Sequence, residues 1–217
     1  VKTLAMFDLD GTLLDSQRGI LSALAETIEH FGVTAPPADV LVTHVGASLW
    51  TIFEELLGTS DRATLDAAAA EYRRRYGMGA MFEYTMYDGV LEMIDAARMQ
   101  NMRVVIATAK AVPYAERVVA STPFAAMIDR VYGSELDGVR TQKEDLLRYV
   151  LEHEGVDPIK ALMVGDRSHD VNGADANGVH SIGVLYGYGT REELQRATAL
   201  AETTTDVITI MKQLSVR

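Results

Sequence analysis

Short apolar runs bounded by turn residues alternate, along most of the chain, with longer stretches of helical period. Residues 3–7, 104–107, 161–164 and 181–185 read as strands buried on both faces, because their consecutive apolar positions leave no polar side for solvent. A shorter candidate lies at 128–132. Between these runs, 89–100 gathers Val90, Leu91, Ile94 and Ala97 at helical spacing, and 114–120 follows Pro113, a residue suited to a first helical turn. A helix over 142–153 follows Thr141, and Thr141 and Glu144 have capping-box spacing. Strand and helix in alternation predict an α/β fold whose crossovers build a parallel sheet.

The interval from about residue 17 to 84 interrupts that alternation. Helical stretches at 20–31, 49–57 and 61–76, with a short one after Pro37, are separated by no convincing strand. Roughly sixty helical residues exceed what one crossover needs. A helical insertion over 17–83 is therefore expected, mounted on a core made of 1–16 and 84–217, with a cleft between them. The run from Leu65 to Ala70 favours helix rather than disorder, and no internal repeat is visible.

Composition narrows the partners. The 217 residues carry 31 acidic and 20 basic side chains, a net charge of -11, which opposes binding to a nucleic-acid backbone or an anionic membrane. A small anion remains acceptable wherever a few cations or a metal reverse the local field. With no cysteine, disulfides, thiolate zinc sites and cysteine nucleophiles are excluded. The apolar runs are too short to span a bilayer and the N-terminus has no signal-peptide pattern, so the cytoplasm is the expected compartment. Monomer and dimer both remain open.

Three strand ends carry the candidate chemistry: Phe7 runs into Asp8, Ala107 into Thr108, and Gly165 into Asp166. In an open parallel sheet ligands bind beyond the carboxyl ends of the strands, so all three converge on one crevice. Asp8 and Asp10 face the same side of an extended chain, and Gly11 lets the backbone turn sharply beside them. These carboxylates, with Asp166 and Asp170, would repel one another without a cation, and an oxygen-rich set of this kind suits Mg²⁺. Lys143 stands in the first turn of its helix against the macrodipole, a position that an anion at that terminus would explain. A metal, a hydroxyl, a lysine and paired aspartates are the parts needed to stabilise a transferring phosphoryl group.

The segments Asp8-Leu9-Asp10-Gly11-Thr12, Ile106-Ala107-Thr108, Lys143 and Gly165-Asp166-Arg167-Ser168-His169-Asp170 resemble the four ordered motifs of the haloacid dehalogenase-like phosphatase superfamily. The likeness covers nearly the whole chain, and the helical insertion resembles that superfamily's C1 cap. Tyr-Gly-Ser-Glu-Leu at 132–136 and Gly-Val-Leu-Tyr-Gly-Tyr-Gly at 183–189 are most similar to its phosphoglycolate phosphatase and 5'-nucleotidase branch. The resemblance implies a Rossmann-like three-layer core and Mg²⁺-dependent hydrolysis of a small phosphorylated metabolite through an aspartyl-phosphate. It makes Asp8 the nucleophile and Asp10 the acid, then base. It also implies Asp8, Asp10 (through its backbone carbonyl), Asp166 and Asp170 as the metal set, with Thr108, Ala109, Lys143 and Gly46 around the substrate.

Several readings compete at particular residues. Asp15 and Ser16 are expected to cap the first cap helix. Asp170 serves either the metal or the N-terminus of its own helix, Lys110 rivals Lys143 for the phosphoryl group, and His169 is expected to flank the site rather than act as a base. Ala109 stands where relatives commonly carry serine or asparagine. Trp50 is either a core anchor or part of a specificity loop. Arg73, Arg74 and Arg75 form either a solvated face or a clamp for a distal anion. Phosphoglycolate leads as substrate; nucleoside monophosphate hydrolysis, a β-phosphoglucomutase-like phosphotransferase and a non-catalytic phosphate-binding module are the alternatives.

Overall fold

A computed structural model of the chain describes residues 1–216. Strand β1 (Leu4–Phe7) leads to the two-residue strand β2 (Leu14–Asp15), and the chain then runs through α1 (Gln17–His30), α2 (Ala38–Leu41), α3 (Leu49–Leu57) and α4 (Arg62–Gly77) before returning by β3 (Thr85–Met86). The remainder alternates: α5 (Val90–Met99), β4 (Arg103–Ala111), α6 (Val112–Ala120), β5 (Arg130–Ser134), α7 (Lys143–Glu154), β6 (Ala161–Gly165), α8 (Ser168–Ala176), β7 (His180–Val184), β8 (Ala199–Ala201) and α9 (Thr204–Val216). No described helix is long and apolar enough to cross a membrane.

Six strands form one parallel sheet in the order β5-β4-β1-β6-β7-β8, the expected α/β architecture. β1 lies inside it, paired to β4 on one side and β6 on the other, and all four of its side chains are buried. Alternation along the strand sends Ala5 and Phe7 into one core and Leu4 and Met6 into the other. Helices α5, α6 and α9 cover the first face with Val90, Met93, Val118, Val207 and Met211; α7 and α8 cover the second with Leu146, Leu147, Val150 and Ala174. Buried on both faces, the strands need no polar alternation, which is why they read as continuous apolar runs.

The helical interval is enclosed by its own ribbon. Outgoing β2 and returning β3 pair antiparallel, Leu14 with Met86 and Asp15 with Thr85, so the chain leaves the core and re-enters it at one place. Inside the interval, Ser48 caps α3 by accepting from Thr51 N at 3.2 Å, and Asp61 caps α4 by accepting from Thr64 N at 2.9 Å. Phe53, Tyr72 and Tyr76 continue the apolar core between these helices.

The structure corrects two sequence expectations and adds one strand. β4 does not stop at Ala107: it continues to Ala111 with a register shift between those residues, and that irregularity carries Thr108, Ala109 and Lys110 to the cleft. β8 was not foreseen, because a three-residue strand in the alanine-rich stretch around Ala197 and Ala201 has neither the length nor the β-branched content of a strand signal. The Thr141–Glu144 capping box does not form. Gln142 occupies the cap position without a side-chain bond, Thr141 lines the cleft, and Glu144 pairs with Arg148.

Candidate active site

The cleft lies where the sheet's carboxyl ends meet the helical insertion. Asp8 follows β1 directly and hangs on the sheet through its own N–H, which donates to Val164 O at 2.9 Å. Gly11, at φ +82, then reverses the chain, and a Cβ there would stand 2.2 Å from Asp166 Oδ2. Glycine is needed at this turn both for its dihedral and for the approach of a carboxylate.

Asp8, Asp166 and Asp170 are buried and each offers a carboxylate oxygen within 4.8 Å of the others'. Asp166 is held by Thr12 Oγ1 at 3.2 Å and by the backbone N–H of Tyr188 at 2.8 Å. Asp170 accepts from Arg167 N at 3.1 Å through Oδ2. Its Oδ1 stands 2.6 Å from Lys143 Nζ, an ion-pair contact, yet that oxygen is buried with no aligned hydrogen-bond donor. Asp170 thus serves its own helix start and the cleft together. Such a set of oxygen donors fits a hard divalent cation, since the single Lys143 ammonium meets only Asp8 and Asp170 and leaves Asp166 with hydroxyl and backbone donors alone. The Asp10 carboxylate lies outside this trio.

Lys143 is enclosed at the first position of α7, donating to Asp8 Oδ1 at 2.9 Å and to Ala107 O at 2.8 Å. Burial pushes its ammonium down, but Asp170 and Asp8 overcome this and hold it above the ordinary lysine value. Burial raises the Asp8 carboxyl to about 6, against the lowering influence of Lys143, with Asp170 and Asp10 adding repulsion. Asp166 is raised as well, by burial and then by Asp8 and Asp170. One lysine among these acids is too little positive charge.

Asp10 is oriented differently. Its Oδ1 accepts from Ser16 Oγ at 2.5 Å and from Lys110 Nζ at 2.7 Å. Ser16 therefore does not cap α1 with its side chain. Asp15 does part of that work, accepting from Gln17 N at 3.2 Å, and it also takes the Tyr188 hydroxyl at 3.0 Å. Lys110 and Lys143 are not rivals for one place: each pairs with a different aspartate. Thr108 is buried at the cleft floor, where its Oγ1 accepts from Lys110 N at 3.2 Å; Ala109 lines the cleft and its carbonyl accepts from Ser134 Oγ at 2.8 Å.

The helical insertion roofs the cleft. Gly46, at φ +98, lets the 42–48 loop lie against Arg167, whose Cγ would stand 3.2 Å from a Cβ at that position. Arg167 grips the same loop, donating to Val45 O at 2.5 Å and Thr43 O at 2.9 Å while pairing with Glu193 at 2.9 Å. Trp50 is half-buried and packs against the core while also facing the cleft. The guanidiniums of Arg62 and Arg73 each stand 5.2 Å from its ring, and it donates Nε1 to Asp66 at 2.7 Å. The arginine run divides: Arg74 and Arg75 pair with Glu71 and Glu26 on the outer face, whereas Arg73 lines the cleft and donates Nη1 to Leu136 O at 2.7 Å. Arg73 Nε is buried without a partner. His169 also lines the cleft, and burial pushes its imidazole down, toward the neutral form.

Sequence reasoning missed Ser16 as a partner of Asp10, Arg167 as the grip on the roof loop, and the tyrosines at 72, 76, 114 and 188. The Gly-Val-Leu-Tyr-Gly-Tyr-Gly stretch at 183–189 was a usable signal: a Cβ at Gly187 would stand 2.2 Å from Gly11 O, so this loop seals Asp166 against the first turn. The rest had no local signature.

A model of the haloacid dehalogenase-like hydrolase family matches residues 5–184. The chain is 36% identical over 190 residues to a 5'-nucleotidase of Pseudomonas aeruginosa, covering 88% of this chain and 86% of that protein. It is 35% identical over 208 residues to the tyrosine-protein kinase PtkA of Mycobacterium tuberculosis, covering 95% of this chain and 68% of that one. The crystal structure of a predicted phosphatase from Clostridium acetobutylicum superposes with a TM-score of 0.94 at 32% identity, over 98% of this chain and 99% of that one.

Proposed function

Because the chain belongs to the haloacid dehalogenase-like hydrolases and is a phosphomonoesterase, we propose that it hydrolyses a small phosphomonoester through an aspartyl-phosphate on Asp8, with Mg²⁺ as cofactor. The observation that supports this most directly is the pairing of Asp8 with Lys143 beside the buried Asp166 and Asp170. Asp8, raised only to about 6, is a carboxylate at neutral pH and is free to attack phosphorus. Lys143 offsets the repulsion between that carboxylate and an anionic ester.

Asp8, Asp166 and Asp170, with the backbone carbonyl of Asp10, would hold the Mg²⁺, which supplies charge neutralisation at the transferring phosphoryl group. Thr108 lies beside the place the phosphoryl oxygens would occupy. Asp10 delivers a proton to the departing alcohol oxygen and afterwards takes one from the water that cleaves the aspartyl-phosphate. The insertion over 17–83 acts as a cap on the core of 1–16 and 84–217, and the Arg167 grip on Thr43 and Val45 excludes water while the phosphoryl group moves.

For the leaving group, the cleft favours an alcohol that carries a planar aromatic ring, such as the base-bearing nucleoside of a 5'-monophosphate. Its wall is built by Trp50, Tyr72, Tyr76 and Tyr114 with Leu49 and Ile52. Phosphoglycolate, the other reading, needs a cation for its carboxylate. Lys110 is committed to Asp10, which leaves the unpartnered Nε of Arg73 as its support.

The test is Mg²⁺-dependent phosphate release, ranked by kcat/KM, from nucleoside 5'-monophosphates, 2-phosphoglycolate, sugar phosphates and pyrophosphate. Preference for nucleotides is the expected result, and preference for phosphoglycolate would move the reading to the Arg73 clamp. A lasting requirement for a bisphosphate activator would indicate a phosphomutase. No release from any ester would overturn the proposal.

A further inference from the structure

We propose that Tyr76, on cap helix α4, is a positioning residue for Asp10 and acts through Lys110, so that seating the cap completes the acid/base. This rests on the hydrolase reading above.

The three groups form a chain from cap to core. The Tyr76 hydroxyl accepts from Lys110 Nζ at 2.7 Å, and the same ammonium donates to Asp10 Oδ1 at 2.7 Å. Nζ also stands 5.0 Å from the centroid of the Tyr76 ring, within cation–π range. All three are enclosed: the Lys110 side chain is 8% exposed and that of Asp10 11%, and Tyr76 as a residue is 2% exposed.

Each link has a physical reason. A lysine ammonium is a point charge on a flexible four-carbon stem, and by itself sets no fixed direction for a carboxylate. Tyr76 supplies both a hydroxyl and a ring face to that ammonium. The ring is itself immobilised, stacked on Tyr72 at 5.4 Å with an 11° interplanar angle and tilted against Tyr114 at 6.2 Å. Burial, and then Asp10, keep the Tyr76 phenol well above its ordinary value, so it accepts from Lys110 as a neutral hydroxyl. Ser16, beside the β2–β3 ribbon, holds the same Asp10 oxygen from the core side at 2.5 Å. Asp10 is thus clamped by one donor that belongs to the core and one that is steadied by the cap.

The experiment compares Tyr76→Phe, Lys110→Met and the double variant with the wild-type protein on p-nitrophenyl phosphate and phenyl phosphate. These esters have nearly the same shape, but nitrophenolate departs with little help from an acid and phenolate does not. The measured quantity is kcat/KM, which covers the steps through departure of the alcohol. Lys110→Met is expected to lower it by about 10²-fold on phenyl phosphate, the low end of what a positioned acid contributes, and by less than ten-fold on the nitrophenyl ester. Tyr76→Phe should reproduce the same selectivity at about ten-fold and add nothing in the Lys110→Met background. Equal losses on the two esters would overturn the proposal, since that is how a substrate contact or a general packing defect behaves. Independent, multiplying losses in the double variant would overturn it too. If the wild-type protein releases phosphate from no ester, nucleoside monophosphates included, the hydrolase reading fails and this inference fails with it; activity with the wrong selectivity defeats this inference alone.

Discussion

Lys143 Nζ donates to Asp8 Oδ1 at 2.9 Å across 135 positions of sequence, with both side chains almost fully enclosed. Removing one partner of a buried pair leaves the other charge uncompensated. Lys143→Met should therefore destabilise the metal-free protein by about 3–5 kcal/mol, since Asp8 and Asp170 lose their shared cation. Adding Mg²⁺ should restore part of the loss and raise the Tm of the variant more than that of the wild-type protein. Thermal melts with and without chelator measure this, and an unchanged metal-free Tm would contradict it.

Asp8 and Asp10 should fail at different steps. Asp8→Asn is expected to form no phosphoenzyme at all. Asp10→Asn should lose about 10²- to 10⁴-fold in turnover, the usual contribution of a general acid/base, and should accumulate a phosphorylated Asp8 when given an ester with a good leaving group. Intact-protein mass spectrometry after rapid quench separates the two. Equal phosphoenzyme levels in both variants would refute the division of roles.

Asp8 also predicts a pH dependence. Its carboxyl is raised from an ordinary value of 3.8 to about 6 by burial, so the fold binds that proton more tightly than the unfolded chain does. The resulting stability is fully present below the ordinary value and is lost as pH rises through about 6. Metal-free protein should consequently lose Tm from this group between pH 4 and 6. Mg²⁺ competes for the same oxygens, so the Tm gain on adding it should grow from pH 5 to 7; a gain independent of pH would count against Asp8 as a ligand.

Two glycine substitutions should differ sharply. Gly187→Ala forces a methyl to within 2.2 Å of Gly11 O and 2.4 Å of Asp166 Cβ, so Asp166 must move and Mg²⁺-dependent activity should fall at least ten-fold. At Gly155, φ is +61 and the space beside it is open, so Gly155→Ala should cost only about 1 kcal/mol of backbone strain and leave kcat/KM unchanged. Chelator-dependent melts and initial rates distinguish damage to the metal site from general loss of stability.

The parallel sheet was legible because strands buried on both faces must be apolar throughout, and the 17–83 interval because a long helical run cannot serve as a single crossover. Asp8, Thr108, Asp166 and the helix-start Lys143 were legible as the residues that end strands or open helices on one side of such a sheet. The Thr141–Glu144 spacing misled, since α7 begins one residue later than that spacing requires and Gln142, not Thr141, takes the cap position. β8 was invisible because its stability comes from its pairing with β7 and from helix α9, not from its own residues.

What the sequence determined by itself was the alternation of elements, the helical insertion, and the types and order of the acidic, hydroxyl and cationic groups. These depend on periodicity and on spacing within a few residues. The tertiary structure decided which aspartate each lysine serves, which of three adjacent arginines enters the cleft, and that Ser16 and Tyr76 of α4 reach the Asp10 environment at all. Those contacts join residues 6 to 100 or more positions apart. Apart from the Ser16–Asp10 bond, their partners are set by how elements distant in the chain pack together, a property that no short window of sequence contains.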